Sequence, residues 1–76
     1  MSTGPPETAA SVTVIALGYR ARCTAPRCNK QARVIFRYED AGGRPMSNSE
    51  FCSMHARARI ALARAARLKV YDDRES

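Results

Sequence analysis

The chain has 76 residues, of which thirteen are basic and seven are acidic, so its formal net charge is +6. This length allows one small domain, and so small a core usually needs a metal, disulfides or a partner to be stable. The longest apolar run, residues 12–17, is interrupted by Thr13 and is far too short to span a bilayer.

The start of the chain has the features of neither a folded segment nor a signal peptide. Residues 1–11 contain Gly4, Pro5 and Pro6 among small polar residues, which predicts a disordered lead-in. They lack a basic start and an apolar core, and three cysteines cannot all pair in disulfides within one chain. We therefore expect a soluble, cytoplasmic protein in a reducing setting, with no membrane partner.

An N-terminal strand and a cysteine pair come next. The β-branched residues of segment 12–17 favour a strand that is covered on both faces or lies beneath a helix. Cys23 and Cys28 then enclose four residues that include Pro26, which predicts a tight turn, or knuckle, with both sulfurs facing one metal. On its own, this half-motif is also compatible with two unrelated thiols.

Residues 32–39 alternate between apolar and polar side chains, which predicts a half-buried strand. One face would carry Val34, Phe36 and Tyr38, and the other Arg33, Arg37 and Glu39. Gly42 and Gly43 allow a turn, so residues 46–51 are expected to return as the second strand of a β-hairpin. The aromatic side chains are expected in the core, although such rings also stack on bases.

Residues 54–68 are dominated by alanine, arginine and leucine without glycine or proline, which predicts a C-terminal α-helix with Ser53 as its cap. Cys52 and His55 are three residues apart and lie on one side of its first turn. The same face is predicted to continue through Ala56, Leu62, Ala63 and Ala66. Residues 69–71 are expected to add a short extended piece, followed by an acidic disordered tail at 72–76.

The cysteines and the histidine together match the ligands of one metal ion. Cys23, Cys28, Cys52 and His55 are all the cysteines and histidines of the chain. Zinc takes four tetrahedral ligands from sulfur and nitrogen, and a structural site closes with three Cys and one His. One structural Zn²⁺ would therefore staple residues 12–71 into a single zinc-binding domain. With no open position for water and no second histidine, we expect no enzyme and no small-molecule substrate.

The order of knuckle, hairpin and helix, with the last two ligands in the first helical turn, resembles the treble-clef zinc fingers across residues 23–68. By this resemblance, Cys23 and Cys28 are the knuckle ligands, and Cys52 and His55 are the helix ligands. The knuckle departs from the commonest spacing, because four residues separate its cysteines. The pattern is also similar to small bacterial and phage zinc-finger proteins of uncharacterised activity. The resemblance implies a small α+β, treble-clef-like domain and no biochemical activity.

Nucleic acid is the first predicted partner. Between residues 12 and 69, twelve basic residues stand against three acidic ones, a balance that favours polyanions. Arg57, Arg64 and Arg67 fall on one side of the predicted helix, and their planar guanidinium groups suit the phosphates of DNA or RNA. Arg33 and Arg37 extend this predicted nucleic-acid-binding surface onto the hairpin.

Two alternatives stay open. A helix rich in arginine and alanine is also typical of a merely solvated surface. A protein-interaction adaptor, with a purely structural zinc, would use the apolar side chains of Ile60, Leu68, Val70 and Tyr71. Salt separates these hypotheses, because nucleic-acid affinity falls steeply with salt concentration and an apolar protein contact does not.

Overall fold

Four β-strands and one α-helix make up the part of the chain that the computed structural model describes, residues 8–74. In chain order they are β1 (Ala9–Ala16), β2 (Val34–Asp40), β3 (Pro45–Phe51), α1 (Ser53–Ala65) and β4 (Lys69–Asp73). The predicted small α+β class is confirmed, as is the order of N-terminal strand, hairpin and helix.

The strands form one mixed sheet in the order β3-β2-β1-β4. β1 pairs antiparallel with β2 and parallel with β4, and β2 pairs antiparallel with β3. The β-branched segment of β1 is therefore central, where such side chains pack against neighbours on both sides. The connection from β3 to β4 runs through α1, which covers one face of the sheet.

One face of the sheet and one side of α1 form the core. Register places Val12 opposite Tyr38 and Val14 opposite Phe36, and all four side chains are buried. Phe36 also packs edge-on against Phe51, with the ring centroids 5.0 Å apart. The predicted alternation of β2 is confirmed, and its aromatic side chains belong to the core.

The opposite face of the sheet carries the polar side chains of β2. Arg37 is exposed there, because it alternates with the buried Phe36 and Tyr38. Its neighbours across the strands are Thr13 on β1 and, beyond it, Tyr71 on β4. Arg37 and α1 therefore lie on opposite sides of the sheet.

The hairpin between β2 and β3 closes through a turn that Asp40 stabilises. The Asp40 carboxylate accepts hydrogen bonds from the backbone N–H groups of Gly42 and Arg44, each at 2.9 Å. Gly43 has a φ of 79°, a conformation that glycine adopts without steric cost. The predicted turn is confirmed, although only Gly43 of the two glycines has a positive φ, and β3 leads directly to Cys52.

The buried side of α1 differs from the predicted one. Ala56, Ile60 and Ala63 are buried at the spacing of a helical stripe. Leu62 is 39% exposed, and Ala66 lies beyond the last helical residue. The prediction that Leu62 and Ala66 continue the ligand face was wrong. Ile60 and Leu62 are two residues apart, about 200° around the helix, so only one of them can face the sheet.

The helix also begins differently than predicted. Cys52 is its N-cap residue, without a side-chain capping hydrogen bond, and Ser53 is the first helical residue. The predicted Ser53 cap was therefore wrong. The N-cap position is therefore occupied by Cys52, one of the four predicted metal ligands.

The C-terminus of α1 lies at Ala65, short of the predicted end at residue 68. Arg67 has a φ of 63°, which breaks the helix. The N–H of Leu68 donates to the carbonyl of Ala63, and the N–H of Arg67 donates to that of Arg64, both at 3.0 Å. These two bonds are those of a Schellman motif, with Arg67 at the position usually occupied by glycine.

The first and last strands of the chain extend past the predicted domain limits at residues 12 and 71. β1 begins at Ala9, and β4 continues through Asp73, which pairs with Ile15 of β1. Parallel pairing with the central strand orders this end of the chain. The rest of the predicted lead-in and tail, residues 1–7 and 75–76, lies outside the described residues.

Candidate metal centre

Three parts of the chain bring the four predicted ligands together. Cys23 and Cys28 lie in the loop between β1 and β2, Cys52 follows β3, and His55 lies in the first turn of α1. Their ligand atoms all lie within 4.8 Å of one another, and none of the three cysteines forms a disulfide. The predicted cluster is confirmed as a group that can hold one metal ion.

The knuckle is built on a tight turn at residues 25–28. The N–H of Cys28 donates to the carbonyl of Ala25 at 3.2 Å. Pro26 occupies the second position of this turn, and Arg27, at the third, has a φ of 61°. This is the pattern of a type II turn, in which proline presets one backbone angle and the next residue takes a positive φ. The four-residue spacing between the cysteines is thus accommodated by a regular turn.

Hydrogen bonds tie the knuckle to the hairpin. Both the backbone N–H and the hydroxyl of Thr24 donate to the carbonyl of Glu50, at 2.8 and 2.9 Å. The N–H of Cys23 donates to the carbonyl of Lys30 at 3.0 Å. Because Glu50 lies two residues before Cys52, these bonds hold the first ligand pair next to the second.

The distances within the cluster fit a four-coordinate ion. The Sγ atoms of Cys23 and Cys52 lie 3.6 and 3.2 Å from Nδ1 of His55, and the Sγ atoms of Cys28 and Cys52 lie 3.9 Å apart. A tetrahedron with zinc–sulfur bonds of about 2.3 Å and a zinc–nitrogen bond of about 2.1 Å has edges of about 3.8 Å (S to S) and about 3.6 Å (S to N). The residues present therefore fit a tetrahedral ion, with Nδ1 as the imidazole ligand.

The electrostatics of the thiols favour a bound cation. The backbone N–H of His55 is the main cause that lowers the pKa of Cys52 to about 6. The N–H of Lys30 lowers the pKa of Cys28, but burial and the thiols of Cys23 and Cys52 outweigh it, so that this pKa is raised. A negative charge on one sulfur thus disfavours deprotonation of the neighbouring thiol, whereas a divalent cation would stabilise all three thiolates.

The five arginines predicted to contact nucleic acid do not form one surface. Arg57 and Arg64 are exposed on α1, and Arg67 lies past its end. Arg37 is exposed on the opposite face of the sheet, and Arg33, also exposed, precedes β2. The predicted continuous surface was wrong, because α1 covers the face of the sheet from which Arg37 points away.

An acidic residue lies beside the helical arginines. Arg57 and Arg64 line a cavity of about 280 Å³ together with Asp72 and Arg74. The side chain of Arg74 donates to the carboxylate of Asp72, which lowers the pKa of Asp72, and the charge of Arg64 contributes further. Since Arg74 pairs with this carboxylate, the charges of Arg57 and Arg64 are not cancelled, and their contact with nucleic acid stays a prediction.

The apolar surface predicted for a protein adaptor is mostly covered. Ile60 is only 6% exposed and belongs to the core, and Leu68 and Val70 are half-buried against it. Tyr71 is 51% exposed on β4. The assignment of Ile60 to a free surface was wrong, since its side chain fills the space between α1 and the sheet.

A cleft beside the knuckle was not predicted. It has a volume of about 430 Å³ and is lined by Arg20, Ala21, Arg22, Asn29 and Gln31. The signal was present in the sequence, because no acidic residue occurs between positions 19 and 38, whereas five basic residues lie between positions 20 and 33. The four polar side chains of the cleft are exposed.

Comparison with known proteins found no matching family, curated protein or solved structure. Within residues 8–74, no helix has the length and apolar character needed to cross a membrane.

Proposed function

We propose that this chain is a small zinc-binding module of treble-clef type that binds nucleic acid and catalyses no reaction. The donor set supports zinc as the ion, because three thiolates and one imidazole suit a soft or borderline metal in tetrahedral geometry. The order of knuckle, hairpin and helix supports the treble-clef assignment. Four protein ligands leave no position for a reacting water, and the single histidine is one of them.

Zinc has a structural role in this proposal. The buried side chains come from one face of the sheet, three residues of α1 and the segments around the cysteines, which is a small core for the number of residues that must be ordered. The four ligands join the knuckle, the end of β3 and the start of α1 at one point. Metal binding therefore contributes directly to folding.

The observation that carries nucleic-acid binding is the unbalanced positive charge of the knuckle region. Arg20, Arg22, Arg27, Lys30 and Arg33 are all exposed, and within residues 8–74 no ion pair joins any of them to a carboxylate. Three thiolates on Zn²⁺ add a net charge of about −1, which leaves the region basic. Guanidinium groups without internal partners are free to bind phosphate.

A titration of the zinc-loaded protein tests this proposal. Labelled mixed-sequence DNA and RNA, single-stranded and duplex, are titrated at several salt concentrations, and we expect log affinity to fall linearly with log salt. Absence of binding at about 100 μM protein in low salt would remove nucleic acid from the proposal. In that case, protein partners that stay bound in a pull-down after nuclease treatment and a high-salt wash would support the adaptor alternative.

A further inference from the structure

The cleft beside the knuckle has walls that the metal site holds in place. The segments before Cys23 and after Cys28 pair through a bridge between Arg22 and Gln31, and the N–H of Ala32 donates to the carbonyl of Ala21 at 2.9 Å. The two ligands of the knuckle close the loop between these segments. Arg22 and Gln31 therefore line the cleft from a paired backbone that directly adjoins the knuckle.

The chemistry of the cleft lining matches a nucleotide. Arg20 and Arg22 offer planar guanidinium groups, which bind phosphate oxygens in pairs. Asn29 and Gln31 offer side-chain amides that both donate and accept, as the edges of nucleobases require. The volume, about 430 Å³, lies in the range of small-ligand sites.

The shape of the cleft favours an unpaired base. A duplex is read by an element that protrudes into its groove, usually a helix or a β-ribbon. The knuckle cleft is an open depression between two segments that one bridge pairs, so it presents no protruding element to a groove, whereas an unpaired base can reach its side-chain amides. Tyr19 precedes the cleft and is 55% exposed, with its hydroxyl donating to Glu50 at 3.1 Å, and its ring offers a face for a neighbouring base.

On these observations, which rest on the proposed nucleic-acid-binding function, we propose that the target is single-stranded and that the knuckle cleft is the contact site. Arg20 and Arg22 bind the phosphate of one nucleotide, and Asn29 and Gln31 bind its base edge. The surface of α1 around Arg57 and Arg64 contributes less, because its cavity is smaller and contains the carboxylate of Asp72, whereas no carboxylate lines the knuckle cleft.

Two double variants with the same change of charge separate the two surfaces. R20Q/R22Q removes two cations from the cleft, and R57Q/R64Q removes two from α1. All four side chains are exposed, so both variants should keep the wild-type zinc content and melting midpoint, which are measured first. The probes are labelled mixed-sequence single-stranded DNA and RNA and a DNA duplex of equal length, each titrated against zinc-loaded protein at several salt concentrations.

We expect wild type to bind the single strands at least tenfold more tightly than the duplex. R20Q/R22Q should weaken single-strand binding at least tenfold and reduce the salt slope by about 0.7 for each phosphate that the variant no longer binds, whereas R57Q/R64Q should change the affinity less than threefold. N29A/Q31A should weaken single-strand binding with the salt slope unchanged, because it removes contacts to the base and none to phosphate.

The inference is overturned if R20Q/R22Q binds like wild type, if both double variants weaken binding equally, or if wild type prefers the duplex. In each of these cases nucleic-acid binding itself persists, so the proposed function survives and only the cleft is excluded. If wild type binds none of the probes, the proposed function fails as well. The two failures are therefore distinguishable in one set of titrations.

Discussion

Replacing Arg67 with glycine should stabilise the domain, because Arg67 occupies a backbone conformation that favours glycine. Its φ is 63°, and it follows α1 at the glycine position of a Schellman motif. An L-residue in this left-handed region costs about 1–2 kcal/mol, and glycine avoids that cost but loses about 0.5–1 kcal/mol more chain entropy on folding. The net gain lies between about 0 and 1.5 kcal/mol, and its central value of about 0.75 kcal/mol raises the melting midpoint of a domain of this size by about 3–6 °C.

The measurement is thermal unfolding of the zinc-loaded protein, followed by far-UV circular dichroism at a fixed excess of zinc. Two controls accompany it. Ala58→Gly, at an exposed site inside α1, should cost about 1 kcal/mol and lower the midpoint. Arg67→Ala keeps the left-handed penalty and should give no gain. If Arg67→Gly lowers the midpoint as Ala58→Gly does, then Arg67 is helical and the reasoning from its φ is refuted.

Four further predictions concern the metal site and the core. Excess chelator should abolish the helical circular-dichroism signal and cooperative melting, since the core is too small to keep the chain folded without the metal. A retained cooperative transition would contradict this prediction. His55→Ala should lose stoichiometric zinc by elemental analysis, whereas Ser53→Ala should change the unfolding free energy by less than about 0.5 kcal/mol, because Cys52 holds the N-cap position. In denaturant titrations, Ile60→Ala should cost about 2–5 kcal/mol and Leu62→Ala less than about 1 kcal/mol, and equal costs would show that the buried stripe is misassigned. The pKa of Cys52 is lowered from 9.0 to about 6, so its thiolate contributes stability that is present above pH 9.0 and lost as the pH falls through about 6. Bound zinc would keep this thiolate deprotonated to lower pH, so the melting midpoint of the zinc-loaded protein should decrease only on acidification below about pH 6, and an unchanged midpoint there would contradict the prediction.

The sequence by itself determined the ligand set and the order of the elements. The chain has only three thiols and one imidazole, so a site with sulfur and nitrogen ligands could be built only from Cys23, Cys28, Cys52 and His55. The alternation of β2 likewise predicted which aromatic side chains are buried, because successive side chains of a strand point to opposite faces of the sheet. These features depend on residue type and short spacing, which are visible without a fold.

Only the tertiary structure decided which surfaces the charged and apolar side chains share. The position of β4 beside β1 brings Asp72 next to Arg64, a proximity that no local pattern contains. Packing against the sheet selects Ile60 over Leu62 for the core, although either would give an amphipathic helix. The cleft near Arg22 and Gln31 exists because backbone pairing folds the knuckle's flanks together. Such long-range proximities follow from the arrangement of whole elements, whereas the sequence pattern specifies each element one at a time.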